Sequence, residues 1–198
     1  KQAHECLEKI FELFPVQASL KIKALDLAIM HQDWIPLEKH FADWEEENYA
    51  NPYLKQKLGD AYWDIDKEVA LKHYQEALNL FQGLVLSSGN DKDSYQRHMA
   101  EIEFKIGKNQ LNAQPGFFKG IAYDEALQRL EKAASLNPEH TPSLFEAYLT
   151  AAEAEKQRSK LLRDTHKIIT YYQKAFQILL KKGKYLVELL QLCLDSKR

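Results

Sequence analysis

The chain has 198 residues, 45% of them hydrophobic and 28% charged, an ordinary balance for a folded globular chain. Its net charge is −2 and its sequence pI is near 6.4, which leaves no electrostatic footprint for nucleic acid and no broad basic face for an anionic membrane. Only 7 Gly and 6 Pro occur, favouring helix over a turn-rich all-β fold, and no apolar run reaches the ~18 residues of a membrane span.

In chain order, the N-terminus has no charged-then-apolar leader layout and no initiator Met. It reads as a piece of a longer chain, with the compartment left open and a cytoplasmic one favoured. Cys6 and Cys193 lie near opposite ends in apolar helical context and read as buried thiols. Apolar periodicity predicts about ten helices, near 2–13, 17–30, 33–47, 51–63, 66–84, 92–106, 122–136, 141–160, 164–182 and 184–196. Short turns fall at "HQDW" and "DIDK", and a longer break at "SSGNDKD", 87–93. Pro52 and Pro142 stand in first turns, where proline is tolerated. The last segment, "YLVELLQLCLD", is more apolar than a solvent-facing terminal helix needs.

One ladder recurs. Ala126, Leu130, Ala133 and Pro138 stand at offsets 0, 4, 7 and 12, as do Ala3, Leu7, Ile10 and Pro15. The first three rungs return as Leu37, Phe41 and Trp44, as Ala70, Tyr74 and Ala77, and as Ile168, Tyr172 and Ala175. Such offsets share one helical face. A small residue at an outer rung admits a neighbouring helix, and a large middle rung fills the groove between helices. The first ladders start at 3, 37 and 70, in steps of 34 and 33, and Ala24-Leu25-x-x-Ala28 precedes Leu58-Gly59-x-x-Tyr62 by 34.

"LGDAY" at 58–62 followed by "ALKHYQEAL" at 70–78, and "YDEALQRLEKAASLNP" at 123–138, resemble the tetratricopeptide repeat. That family has a 34-residue helix–turn–helix unit with a Leu-Gly-x-x-Tyr first helix, an Ala–aromatic–Ala second helix and a closing Pro. The resemblance covers nearly the whole chain. It departs at "SYQRHMAEIEFKIG", which lacks the first-helix signature, and before the Ile168 ladder. It implies an all-α fold, an α-solenoid of antiparallel helix pairs wound into a right-handed superhelix. One repeat domain would then fill 1–198, with repeats at 17–50, 51–84, 92–138 and 141–182 and a C-terminal helix at 184–196.

Between Gly107 and Tyr123 the chain runs sixteen residues where the family pattern has two, so loop 108–122 is an insertion. Phe117 and Phe118 within it either anchor a partner or fold back on a neighbouring repeat. The family resemblance also places the first helices on a concave surface that takes an extended peptide or a helix. Groove-facing positions would be Ile22, Asp26 and Ile29, then Tyr53, Gln56, Asp60, Trp63 and Asp64. Carboxylates beside an indole would suit a basic peptide; the alternative is a solvated polar face with Trp63 packed between repeats. Some members hold an acidic chaperone tail with Lys, Asn and Arg. The matching positions here are Ile22, Asp26 and Lys57, two of them wrong in kind.

The seven histidines form no HExxH and no zinc-type pairing with cysteine, and there is no phosphate loop or GxSxG elbow. Glu45, Glu46 and Glu47 read as a solvated face. Helical repeats that read RNA need basic faces, and "KKGK" at 181–184 is short. The expectation is a non-enzymatic scaffold or adaptor that binds protein or peptide, with no cofactor, metal or nucleic acid. Two alternatives stay open: a self-associating segment joined through the last helix or the Phe loop, and a regulatory receptor for a signalling peptide.

Overall fold

A computed structural model describes residues 18–31, 51–87, 91–112 and 119–181, with positions 9 and 13. Those residues hold seven α-helices, one short 3-10 turn and no strand. The helices are α1 (Ala18–His31), α2 (Pro52–Tyr62), α3 (Lys67–Ser87), α4 (Lys92–Asn112), α5 (Lys119–Leu136), α6 (Thr141–Lys156) and α7 (Thr165–Lys181). The chain forms two compact units, 1–98 and 99–198.

In the first unit, α1 packs on α2 and α2 packs on α3. Asn51 starts α2, its side-chain oxygen accepting the N–H groups of Tyr53 and Leu54 at 3.1 Å each, with Pro52 next. Both features suit a helix start, where backbone N–H groups lack partners. Asp66 does the same for α3, accepting from Glu68 at 3.0 Å and Val69 at 3.2 Å. Leu54, Leu58 and Ala61 of α2 and the ladder Ala70, Tyr74, Ala77 of α3 are fully buried. Gly59 admits the contact: a Cβ there would lie 2.6 Å from the Tyr74 ring.

The second unit repeats the device. A Cβ on Gly107 of α4 would lie 3.0 Å from the Ala126 carbonyl oxygen and 3.0 Å from Leu130 of α5. Ala126, Leu130 and Ala133 are buried, and Leu130 joins Leu127 in a core that α6 and α7 complete with Leu144, Tyr148, Ala151, Tyr171 and Ala175. After α5, Asn137 caps the 3-10 turn Pro138–His140 by accepting from the Glu139 N–H at 3.1 Å. Between α6 and α7, buried Glu155 accepts both the Arg158 guanidinium at 2.9 and 3.0 Å and the Asp164 N–H at 2.8 Å. Asp164 then caps α7.

Several sequence expectations shift. The described residues hold seven helices rather than about ten. The helices expected at 33–47 and 184–196, that expected at 2–13 apart from positions 9 and 13, the ladders from Ala3 and Leu37, and both cysteines lie outside those residues. Loop 108–122 shrinks from both sides: 108–112 continue α4 and 119–122 open α5. The physical reason is that Gly107 serves close packing rather than helix termination, and Lys108, Gln110 and Leu111 after it are good helix formers. Only 113–118, with Phe117 and Phe118, falls between, outside the described residues. In α7 the buried middle rung is Tyr171, while Tyr172 is half-buried with its hydroxyl on Glu153 near solvent.

The two classes of helical glycine give opposite expectations. Gly59→Ala should lose stability by ~1–3 kcal/mol, because the buried Tyr74 ring must move, outweighing the better helix propensity. Gly83, interior to α3 with nothing within 4 Å of a Cβ, should gain up to ~1 kcal/mol as Gly83→Ala. Urea denaturation of both variants checks the signs.

Candidate binding face

The first-helix positions singled out in the sequence acquire definite neighbours in the first unit. Tyr53 meets Phe81 edge-on at 5.1 Å and His98 edge-on at 4.9 Å, and Phe81 stacks on His98 at 5.3 Å. The Gln56 side-chain amide lies at hydrogen-bond distance from His98 Nδ1, 2.9 Å away. Asp60 accepts the Tyr74 hydroxyl at 2.6 Å, and the Trp63 ring lies 5.5 Å from the Tyr74 ring. The structure thus gathers Tyr53 and Gln56 around His98, and Asp60 and Trp63 around Tyr74.

It does not gather Asp26 with them through any described contact: Asp26 pairs with Lys57 across α1 and α2. Asp64 is exposed in the turn after α2. The Ile29 side chain, Phe117 and Phe118 lie outside the described residues. His98 is the member that sequence reasoning does not assign to this face; the sequence places Lys57 in the groove, as a match to a position that holds an acidic tail, but does not pair it with Asp26. Lys57 carries a charge opposite to Asp26, a signal available in the sequence. His98 falls in a first helix without the repeat signature, so nothing ties it to α2.

Within each unit, tyrosine hydroxyls are set against carboxylates. Tyr74 donates to Asp60, Tyr148 to Glu131 and Tyr171 to Asp124. Burial first, then the adjacent carboxylate, drives each hydroxyl pKa far above the ordinary tyrosine range. Two further carboxylates accept cations: buried Glu103 takes Arg129 at 2.7 Å and Lys132 at 2.6 Å, and Glu76 pairs with buried Lys55 at 2.8 Å. Among the described residues no cluster of His, Cys, Asp and Glu could hold a metal ion, and no helix is long and apolar enough to cross a membrane. The arrangement presents rings, amides and carboxylates around α2.

Neither a family model nor a curated protein sequence matches the chain. Its fold does have a counterpart in the crystal structure of MamA, a protein containing tetratricopeptide repeats, at a TM-score of 0.51 and 18% identity. The match covers 92% of this chain and 90% of that one. At this identity the likeness shows a shared all-helical repeat fold.

The buried tyrosines make stability pH-dependent on the alkaline side. Unfolded tyrosines lose their protons near pH ~10, whereas the folded hydroxyls keep theirs. Above that pH the folded state binds more protons than the unfolded one, so stability falls as pH rises. The melting temperature should decline from about pH 10 upward, at no more than ~1.4 kcal/mol per pH unit for each such tyrosine. Tyr74→Phe should make that decline shallower.

Proposed function

We propose that this chain is a non-enzymatic helical-repeat scaffold that takes a basic segment of another protein across the C-terminal end of α2. One observation carries the reading. Trp63, Asp64 and Ile65 close α2 in a hydrogen-bonded turn, with the Ile65 and Asp66 N–H groups donating to the Tyr62 carbonyl at 3.0 and 2.8 Å. Trp63 is held against Tyr74, while Asp64 and Ile65 are exposed. A helix C-terminus carries partial negative charge, and Asp64 adds a full one beside an indole. An arginine or lysine gains there from ion pairing and from stacking on the ring.

The proposed face continues to Asp60, Gln56 and Tyr53 on α2 and to Asp26 on α1, and Ile29 joins the proposal on helical register alone. The repeat fold shared with MamA supports a role in protein interaction. Phe117 and Phe118 are a separate candidate contact. Asp26 is already paired with Lys57 and Asp60 with the Tyr74 hydroxyl, so the attraction for a cation centres on the exposed Asp64 rather than on three carboxylates.

A positionally randomised peptide library captured on the immobilised protein should enrich Lys and Arg. Asp64→Lys should weaken the enriched peptides by about tenfold or more, ~1.4 kcal/mol, with melting unchanged because exposed substitutions rarely cost beyond ~0.5 kcal/mol. Undiminished affinity in that variant would remove this face from the account. Asp60→Lys is a poorer probe, since it also strips the Tyr74 hydroxyl of its acceptor.

A further inference from the structure

The glycine contacts give the two units a common internal register. Gly59 of α2 lies against Tyr74 of α3, and Gly107 of α4 lies against Leu130 of α5; each partner is the middle rung of its ladder. Four residues before each glycine, on the same helical face, stands a buried charge. It is Lys55 on α2 and Glu103 on α4, each 2% exposed. Two residues after each middle rung stands the counter-charge. Lys55 pairs with Glu76 at 2.8 Å, and Glu103 pairs with Lys132 at 2.6 Å. Equivalent positions thus hold the same ion pair in opposite polarity. One residue before the middle rung, the second unit adds Arg129, 2.7 Å from Glu103, where the first unit has the buried His73.

The apolar contacts around these pairs do little to tell the second helices apart. Alanines at 70 and 77 flank Tyr74, and alanines at 126 and 133 flank Leu130, all of them buried. Either ladder offers a small–large–small face to a first helix that carries a glycine. Repeat proteins misassemble for this reason: like units present like faces. The charges do discriminate. With α5 seated on α2, Lys132 and Arg129 would come to Lys55. With α3 seated on α4, Glu76 would come to Glu103.

We propose that the inverted polarity is a pairing code, which directs α3 to α2 and α5 to α4 and rejects the two exchanged pairings, within one chain or between copies. A buried ion pair adds little net stability over apolar side chains of the same size, but a buried charge that meets no counter-charge is costly. The leverage of Lys55–Glu76 and Glu103–Lys132 therefore falls on the wrong pairings, where like charges would face each other out of water. Specificity of this kind comes from penalising the competitor rather than from strengthening the correct contact. The inference does not depend on the binding face of α2.

Refolding of the whole chain from urea at high protein concentration tests it, with native species recovered by size exclusion and sized by light scattering. Lys55→Glu with Glu76→Lys keeps an ion pair in the first unit but gives both units the same polarity. Recovery of the native species should fall about threefold or more against the wild type, the loss appearing as higher oligomers. Inverting the second unit as well, by Glu103→Lys, Arg129→Glu and Lys132→Glu, restores the opposition and should return recovery to the wild-type level. Destabilisation alone cannot give that rescue, since three further buried or half-buried changes would only add to it. Should the first-unit inversion yield no folded protein, inversion of the second unit alone carries the same expectation. Wild-type recovery in a single-unit inversion overturns the proposal, as does a loss that inversion of both units fails to reverse.

Discussion

Two helices can approach this closely only where one of them has no side chain. Gly59 provides that absence on α2 and Gly107 on α4, and in each case the partner helix fills the space at once, with the Tyr74 ring or with Ala126 and Leu130. Interiors are packed at crystal-like density, so such a contact sets the spacing of a helix pair rather than decorating it. The alanines of the ladders, fully buried at 70, 77, 126 and 133, extend the same close approach along the second helices.

Close approach has a polar consequence. Bringing α3 against α2 carries the Tyr74 hydroxyl to Asp60, which then faces inward as much as outward. Tyr148, Tyr171 and Glu103 show the same habit, each matching a buried polar group to a charged partner on another helix. A buried hydroxyl or carboxylate without such a partner would be costly. These pairs leave the outer ends of the first helices to present side chains whose directions are already fixed, as Tyr53 and Gln56 are by His98. Preorganised side chains lose little freedom on meeting a partner, which is the physical basis of the binding role proposed above.

Much of this is legible in the residues. The small–large–small ladders at Ala70 and Ala126 mark buried faces because burial and helical spacing are local properties of sequence, and both are buried as spaced. Pairing partners are not local. Asp26 lies 31 residues from Lys57 in sequence, and no periodicity announces that contact. Gly107 misleads when read as a stop, since a glycine suits both a helix end and a tight crossing, and only the neighbouring helix tells them apart. The Ile168 ladder misleads by one residue: Tyr171 and Tyr172 are interchangeable in a sequence pattern, and their choice depends on where Asp124 and Glu153 lie.

The spacing imposed by the glycines is open to direct measurement in solution by nuclear magnetic resonance. If Gly59 lies against the Tyr74 ring, its α-protons are shifted upfield by the ring current and show cross-relaxation to the Tyr74 aromatic protons. Gly59 α-protons at random-coil shifts, with no cross-relaxation to that ring, would contradict the account of how these helices pair.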